Sequence, residues 1–164
     1  MARAAFVSFL LFILSGVVSY QTGSLKISAE KKSGSFTIFS GGRSAQMLIS
    51  EKDEPGVIRA FGDLQLDIKS VTSELPELMF DKIRSDAVII AGTIGKSPLI
   101  DDLVKRKKIR VDDISGKWES FIIQVVDKPS PGVEKGLVIA GSDKRGTIYG
   151  IYEISGELGV SPWY

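Results

Sequence analysis

The chain has 164 residues, a formal net charge of +1, 43% hydrophobic residues, and neither His nor Cys. Without imidazole or thiolate there is no Ser-His-Asp triad, no Cys-His pair and no ordinary zinc site, so carboxylates, Lys, Tyr and hydroxyls are the available chemistry. Near-neutral charge disfavours nucleic acid as a partner, and a chain without Asn has no N-glycosylation sequon.

Residues 1–19 carry a positive charge at Arg3, an apolar run from Ala4 to Leu14, and the small residues Ser15, Gly16 and Ser19. That order predicts a secretory signal peptide and an extracellular protein. A membrane anchor is the competing reading. The apolar run is about fifteen residues and is interrupted by Ser8, Ser15 and Gly16, short of the ~20 needed to span, so no membrane association is expected after cleavage. The remainder is long enough for one core without disulfides, so zero Cys does not contradict export. Residues 20–34 read as a loose polar lead-in, and residues 35–164 as one domain.

From Ser35 the pattern predicts a strand with Phe36, Ile38 and flanking Thr37 and Phe39, closed by Gly41-Gly42, and then a second strand from Gln46 to Ile49. Asp53 is a candidate N-cap before Pro55. The spacing of Val57, Phe61, Leu64, Ile68 and Val71 predicts a helix with one buried stripe, leaving Asp63, Asp67 and Lys69 off it. Paired catalytic carboxylates are the alternative for those acids and would need a cleft.

Ala87 to Ala91 is an unbroken apolar run, suggesting a strand covered on both faces. Ser97-Pro98 then offers an N-cap followed by proline at the first helical position, with Leu99, Ile100, Leu103 and Val104 at helical spacing. The acidic start of this helix, Asp101-Asp102, and its basic end, Lys105 to Lys108, match the helix dipole, which accounts for charges that could otherwise suggest a polyanion site. Phe121 to Val126 and Leu137 to Ala140 are two further strands joined by a Pro/Gly loop. The expected fold class is α/β (α+β), a mixed β-sheet with helices packed on it.

Ala140 to Gly146 is a strand-to-helix turn in which Ser142 or Asp143 can cap the following helix. Ile148, Ile151, Tyr152, Ser155 and Leu158 are expected on its buried face. Gly150 and Gly156 are expected at close approaches of a neighbouring backbone. A phosphate-binding loop is excluded by spacing, because Thr147-Ile148 stands where Lys-Ser/Thr would follow Gly146, and Asp143 would repel phosphate. No cofactor and no metal are expected.

Gly141 to Tyr152, followed by Gly159-Val160-Ser161-Pro162-Trp163-Tyr164, resembles the end of the N-terminal domain of glycoside hydrolase family 115. These are secreted xylan α-1,2-glucuronidases that remove (4-O-methyl-)glucuronic acid. Val57 to Leu64 and Ala87 to Thr93 carry a weaker similarity, so the resemblance covers residues 35–164. It implies a domain like the second domain of β-hexosaminidases, with no (β/α)8 barrel in this chain. The partner it implies is a C-terminal (β/α)8 catalytic domain of the same polypeptide, with glucuronoxylan as substrate of the whole enzyme. The two carboxylates of an inverting mechanism would lie beyond Tyr164. The chain alone is then an inactive accessory domain, and the alternative is a free-standing secreted carbohydrate- or protein-binding module. Ser142, Asp143, Lys144 and Arg145 would either contact the acidic sugar and barrel loops or only cap the helix and tie the turn. Trp163 and Tyr164 would pack on the following domain or stack on sugar.

Overall fold

The computed structural model describes residues 25–28, 34–80 and 85–160. Residues 1–19, expected to be a signal peptide, most of the lead-in, and Pro162, Trp163 and Tyr164 lie outside the described residues. A two-residue hairpin comes first, β1 (Phe39–Ser40) against β2 (Arg43–Ser44). Gly41 and Gly42 have φ of 59° and 75°, the left-handed values that such a tight turn requires. The strand expected from Ser35 is therefore shorter and shifted. Phe36 and Ile38 precede the ladder, although both pack against the core.

The main sheet contains β3 (Gln46–Ile49), β4 (Leu78–Phe80), β5 (Ala87–Thr93), β6 (Phe121–Asp127) and β7 (Lys135–Gly141). Its order is β4-β3-β5-β7-β6, with β6 antiparallel to β7 and every other pair parallel. This is the expected mixed sheet, with no closed barrel among the described residues. Helices α1 (Pro55–Thr72) and α3 (Lys144–Glu157) cover one face, and α2 (Pro98–Lys105) the other. The unbroken run in β5 follows from that burial: Ile89 and Ala91 face α1 and α3, while Val88 and Ile90 face α2.

Val57, Ala60, Phe61, Leu64 and Ile68 form the buried stripe of α1. Full burial of side chains such as Phe61, Leu64 or Ile68 contributes roughly 1.5–3 kcal/mol each. Val71, expected on the stripe, is 47% exposed. Eighteen helical residues span about 27 Å against about 13 Å for the four residues of β3, so the last turn runs past the end of that strand. Two caps also differ from expectation. Glu54, not Asp53, is the N-cap residue of α1 and makes no side-chain cap bond. Ser97 occupies the N-cap position of α2, but its hydroxyl is buried without a partner.

The basic end of α2 is used locally. Arg106 bonds Asp102 and the carbonyl of Pro129, and Lys108 Nζ donates to the Asp127 carbonyl at 3.2 Å. The short strand β4 has no sequence signal of its own, because three residues are too few to display a period.

Candidate functional site

In open α/β sheets ligands collect outside the carboxyl ends of strands, where successive connections diverge. Here that point lies between β3 and β5. The connection through α1 returns to β4 on one side of β3, and the connection leaving β5 runs through α2 to β6, which lies beyond β7 on the other side. Asp53 fills the crevice. Only 4% exposed, it accepts the Glu54 amide on Oδ1 and the Thr93 amide on Oδ2, both at 2.7 Å. The protein's own carboxylate thus takes the amides that an anionic ligand would use.

One strand over, Ser142 to Arg145 join β7 to α3. Asp143 is the N-cap of α3, its Oδ1 accepting the Gly146 amide at 2.7 Å, as expected for a capping carboxylate. Its Oδ2 accepts the Glu119 amide at 2.9 Å from the turn that leads into β6. The Glu119 amide, and after it that of Gly146, hold the Asp143 carboxyl below its ordinary pKa, because both bonds favour the ionised form.

Ser142 repeats the cross-link. Its amide and hydroxyl donate to the Ser120 carbonyl at 2.8 and 3.0 Å, and its Oγ accepts the Ser120 amide at 3.1 Å. The two glycines of the motif serve this packing. A Cβ on Gly141 would run into the backbone of Thr147, and one on Gly146 into the backbone of Ser120. No room for a phosphate remains between the turn and its neighbour.

Outside this knot stands a set of exposed side chains. Arg145 pairs with Glu119 at 2.8 Å and donates to the Tyr149 hydroxyl at 2.7 Å, with its guanidinium carbon 5.7 Å from the Tyr149 ring centre. The Tyr149 hydroxyl, followed by the Glu119 carboxylate, raises the Arg145 pKa further, so this residue stays cationic. Tyr152, expected on the buried face, is 40% exposed and donates its hydroxyl to Asp63 on α1 at 2.8 Å. Partial burial and then the Asp63 bond raise its pKa. The face that α3 buries is Thr147, Gly150, Ile151, Ile154 and Ser155. Gly150 is crowded by the side chains of Ile139 and Phe121 rather than by the neighbouring backbone expected there, and the corresponding position at Gly156 opens onto empty space.

Of the residues marked by sequence, Ser142, Asp143 and Arg145 come together, while exposed Lys144 lies beside Gly56 at the start of α1. Trp163 and Tyr164 lie outside the described residues. Trp118, Glu119 and Ser120 escaped sequence reasoning because they sit twenty-odd residues upstream in a stretch without period. The one available signal was a lone Trp within a polar run; it is 88% exposed. Glu119 holds a left-handed φ of 54°, which its amide bond to Asp143 secures. A hollow bordered by Leu25, Phe36, Val71, Val125 and Leu158 lies at the opposite end of the sheet. Among the described residues no acidic cluster could hold a metal ion, and no helix is long and apolar enough to cross a membrane.

No protein-family model matches the sequence, and no curated protein matches it. The solved structures do offer similarity. One is a family GH115 4-O-methyl-alpha-glucuronidase, BtGH115A, with specificity for decorated arabinogalactans, matched with 33% sequence identity and a TM-score of 0.56. The match covers 73% of this chain and 14% of that one. The chain is therefore similar to a small part of a family GH115 enzyme.

Proposed function

On the premise of that similarity to family GH115, we propose that this chain is an accessory, non-catalytic domain of a secreted glucuronidase that removes (4-O-methyl-)glucuronic acid from a plant polysaccharide such as glucuronoxylan. The observation that carries the reading is the pairing of 73% coverage here with 14% coverage there, which matches one domain to one segment of a much larger enzyme. In this reading the partner is a catalytic (β/α)8 domain of the same polypeptide, and residues 1–19 are a cleaved signal peptide.

Six of the described acids are taken up by structural bonds, which accords with chemistry located elsewhere. Inverting hydrolysis requires two carboxylates facing each other across roughly 6.5–9.5 Å of open cleft. Here Asp53 and Asp143 are tied to backbone amides, Asp63 to Tyr152, Asp101 to the Gly95 amide, Asp102 to Arg106 and Glu119 to Arg145. These acids act as structural fasteners.

The test is a glucuronic-acid release assay of the purified chain on glucuronoxylan and on a glucuronosyl-decorated arabinogalactan. No release is expected, and measurable release would sink the accessory-domain reading. Amino-terminal sequencing of the exported protein should begin at Tyr20.

A further inference from the structure

We propose that the outer face of α3, together with the Trp118 turn, binds a polysaccharide chain by ring stacking and hydroxyl hydrogen bonds. Trp118, Tyr149 and Tyr152 are all the Trp and Tyr residues described, and none belongs to either core. They are 88%, 40% and 40% exposed. Arg145, Tyr149 and Tyr152 stand at i, i+4 and i+7, on one strip of the helix. The Glu119–Arg145 ion pair ties the Trp118 turn to the head of that strip.

Both tyrosines are held in place before any ligand arrives. Arg145 secures the Tyr149 hydroxyl and Asp63 that of Tyr152. The backbone carrying Trp118 is fixed by the bonds from Glu119 and Ser120 to Asp143 and Ser142. Such preorganisation lowers the ordering cost of binding.

The charges interleaved with the rings select the class of ligand. Protein interfaces shed charged residues from their centres, and a dry surface laid over this strip would bury Glu119, Arg145 and Asp63 among the aromatics. A pyranose chain instead lays its C–H faces on the rings and turns hydroxyls toward the charged groups. Each carboxylate then gains a donor. Arg145 spends only part of its fork of N–H donors on Glu119 and Tyr149, and the remainder suit sugar oxygens or a uronate.

Affinity electrophoresis of the full chain in gels containing glucuronoxylan or glucuronosyl-decorated arabinogalactan, with calorimetric titration of the polysaccharide that retards it, tests the proposal. Retardation is expected, and Trp118→Ala should weaken binding by about tenfold or more. Tyr149→Phe keeps the ring and should keep binding, whereas Tyr149→Ala should weaken it. A natively folded wild type that neither polysaccharide retards overturns the proposal, as does Trp118→Ala binding equal to wild type. So does a Trp118→Ala variant that retains glycan affinity but no longer associates with the catalytic portion of a family GH115 enzyme, since the face is then a protein contact. Glucuronate release by the chain would remove the accessory-domain reading and leave this one untouched.

Discussion

The hydroxyls of Thr93 and Thr147 meet at 2.8 Å, joining the end of β5 to the first turn of α3. Thr147 Oγ1 also donates to the Asp143 carbonyl at 2.9 Å. Its one proton is used there, so Thr93 is the donor between the two. Both residues are buried. Thr147→Val keeps the shape and removes the acceptor, leaving the Thr93 hydroxyl buried and unpaired. A loss of about 1–2 kcal/mol in urea unfolding is expected, with Thr147→Ser close to wild type.

Asp143 links two elements through one carboxylate. Asp143→Ala removes the helix cap and the anchor of the Glu119 turn together, and should cost about 1–2 kcal/mol. The pH dependence has a defined sign. The folded carboxyl titrates below its ordinary value of 3.8, so its stabilisation is complete above that value and disappears as pH falls through the lower folded value. Thermal melts from pH 6 to pH 2 should therefore show wild type and Asp143→Ala converging under acid. Curves that stay parallel throughout would refute the assignment.

Gly146 and Gly156, both in α3, should respond oppositely to alanine. At Gly146 the new methyl collides with the Ser120 backbone and must part the turn from the helix, at a cost of about 1–3 kcal/mol or more. At Gly156 it enters open space, and better helix propensity should add up to about 0.5–1 kcal/mol. Melting temperatures of the two variants check both signs.

Asp53→Ala should be among the more disruptive polar substitutions. It leaves the Thr93 and Glu54 amides without their acceptor at a nearly closed site, and a loss of about 2–4 kcal/mol is expected in denaturant unfolding. Asp53→Asn retains one acceptor oxygen and should lose less.

The sequence was most legible where a residue's structural role depends on its near neighbours. The apolar runs of β5, β6 and β7, the prolines opening α1 and α2, and a cap at Ser142 or Asp143 were all readable from a few consecutive residues. Roles set by distant partners were not. Asp53 looks like a cap because it precedes Pro55, yet one of its oxygens serves Thr93, forty residues away. Tyr152 fits the apolar spacing of α3, but Ile154 and Ser155 take the inner face and its hydroxyl reaches Asp63. At the candidate site, the Ser142–Arg145 turn was visible through its glycines. The opposing turn at Trp118 was not, because only the antiparallel register of β6 with β7 brings Ser120 alongside Ser142.

Strand β6 has a consequence for handling the protein. It pairs with β7 alone among the described residues, and Phe121 to Val126 contains no charge and no proline. Its outer rim therefore offers backbone donors and acceptors as a template on which another extended chain can add. Asp127 and Lys128 guard one end of that seam. Gln124→Lys would place a gatekeeper at its middle, and concentration-dependent association at high protein load should diminish with it.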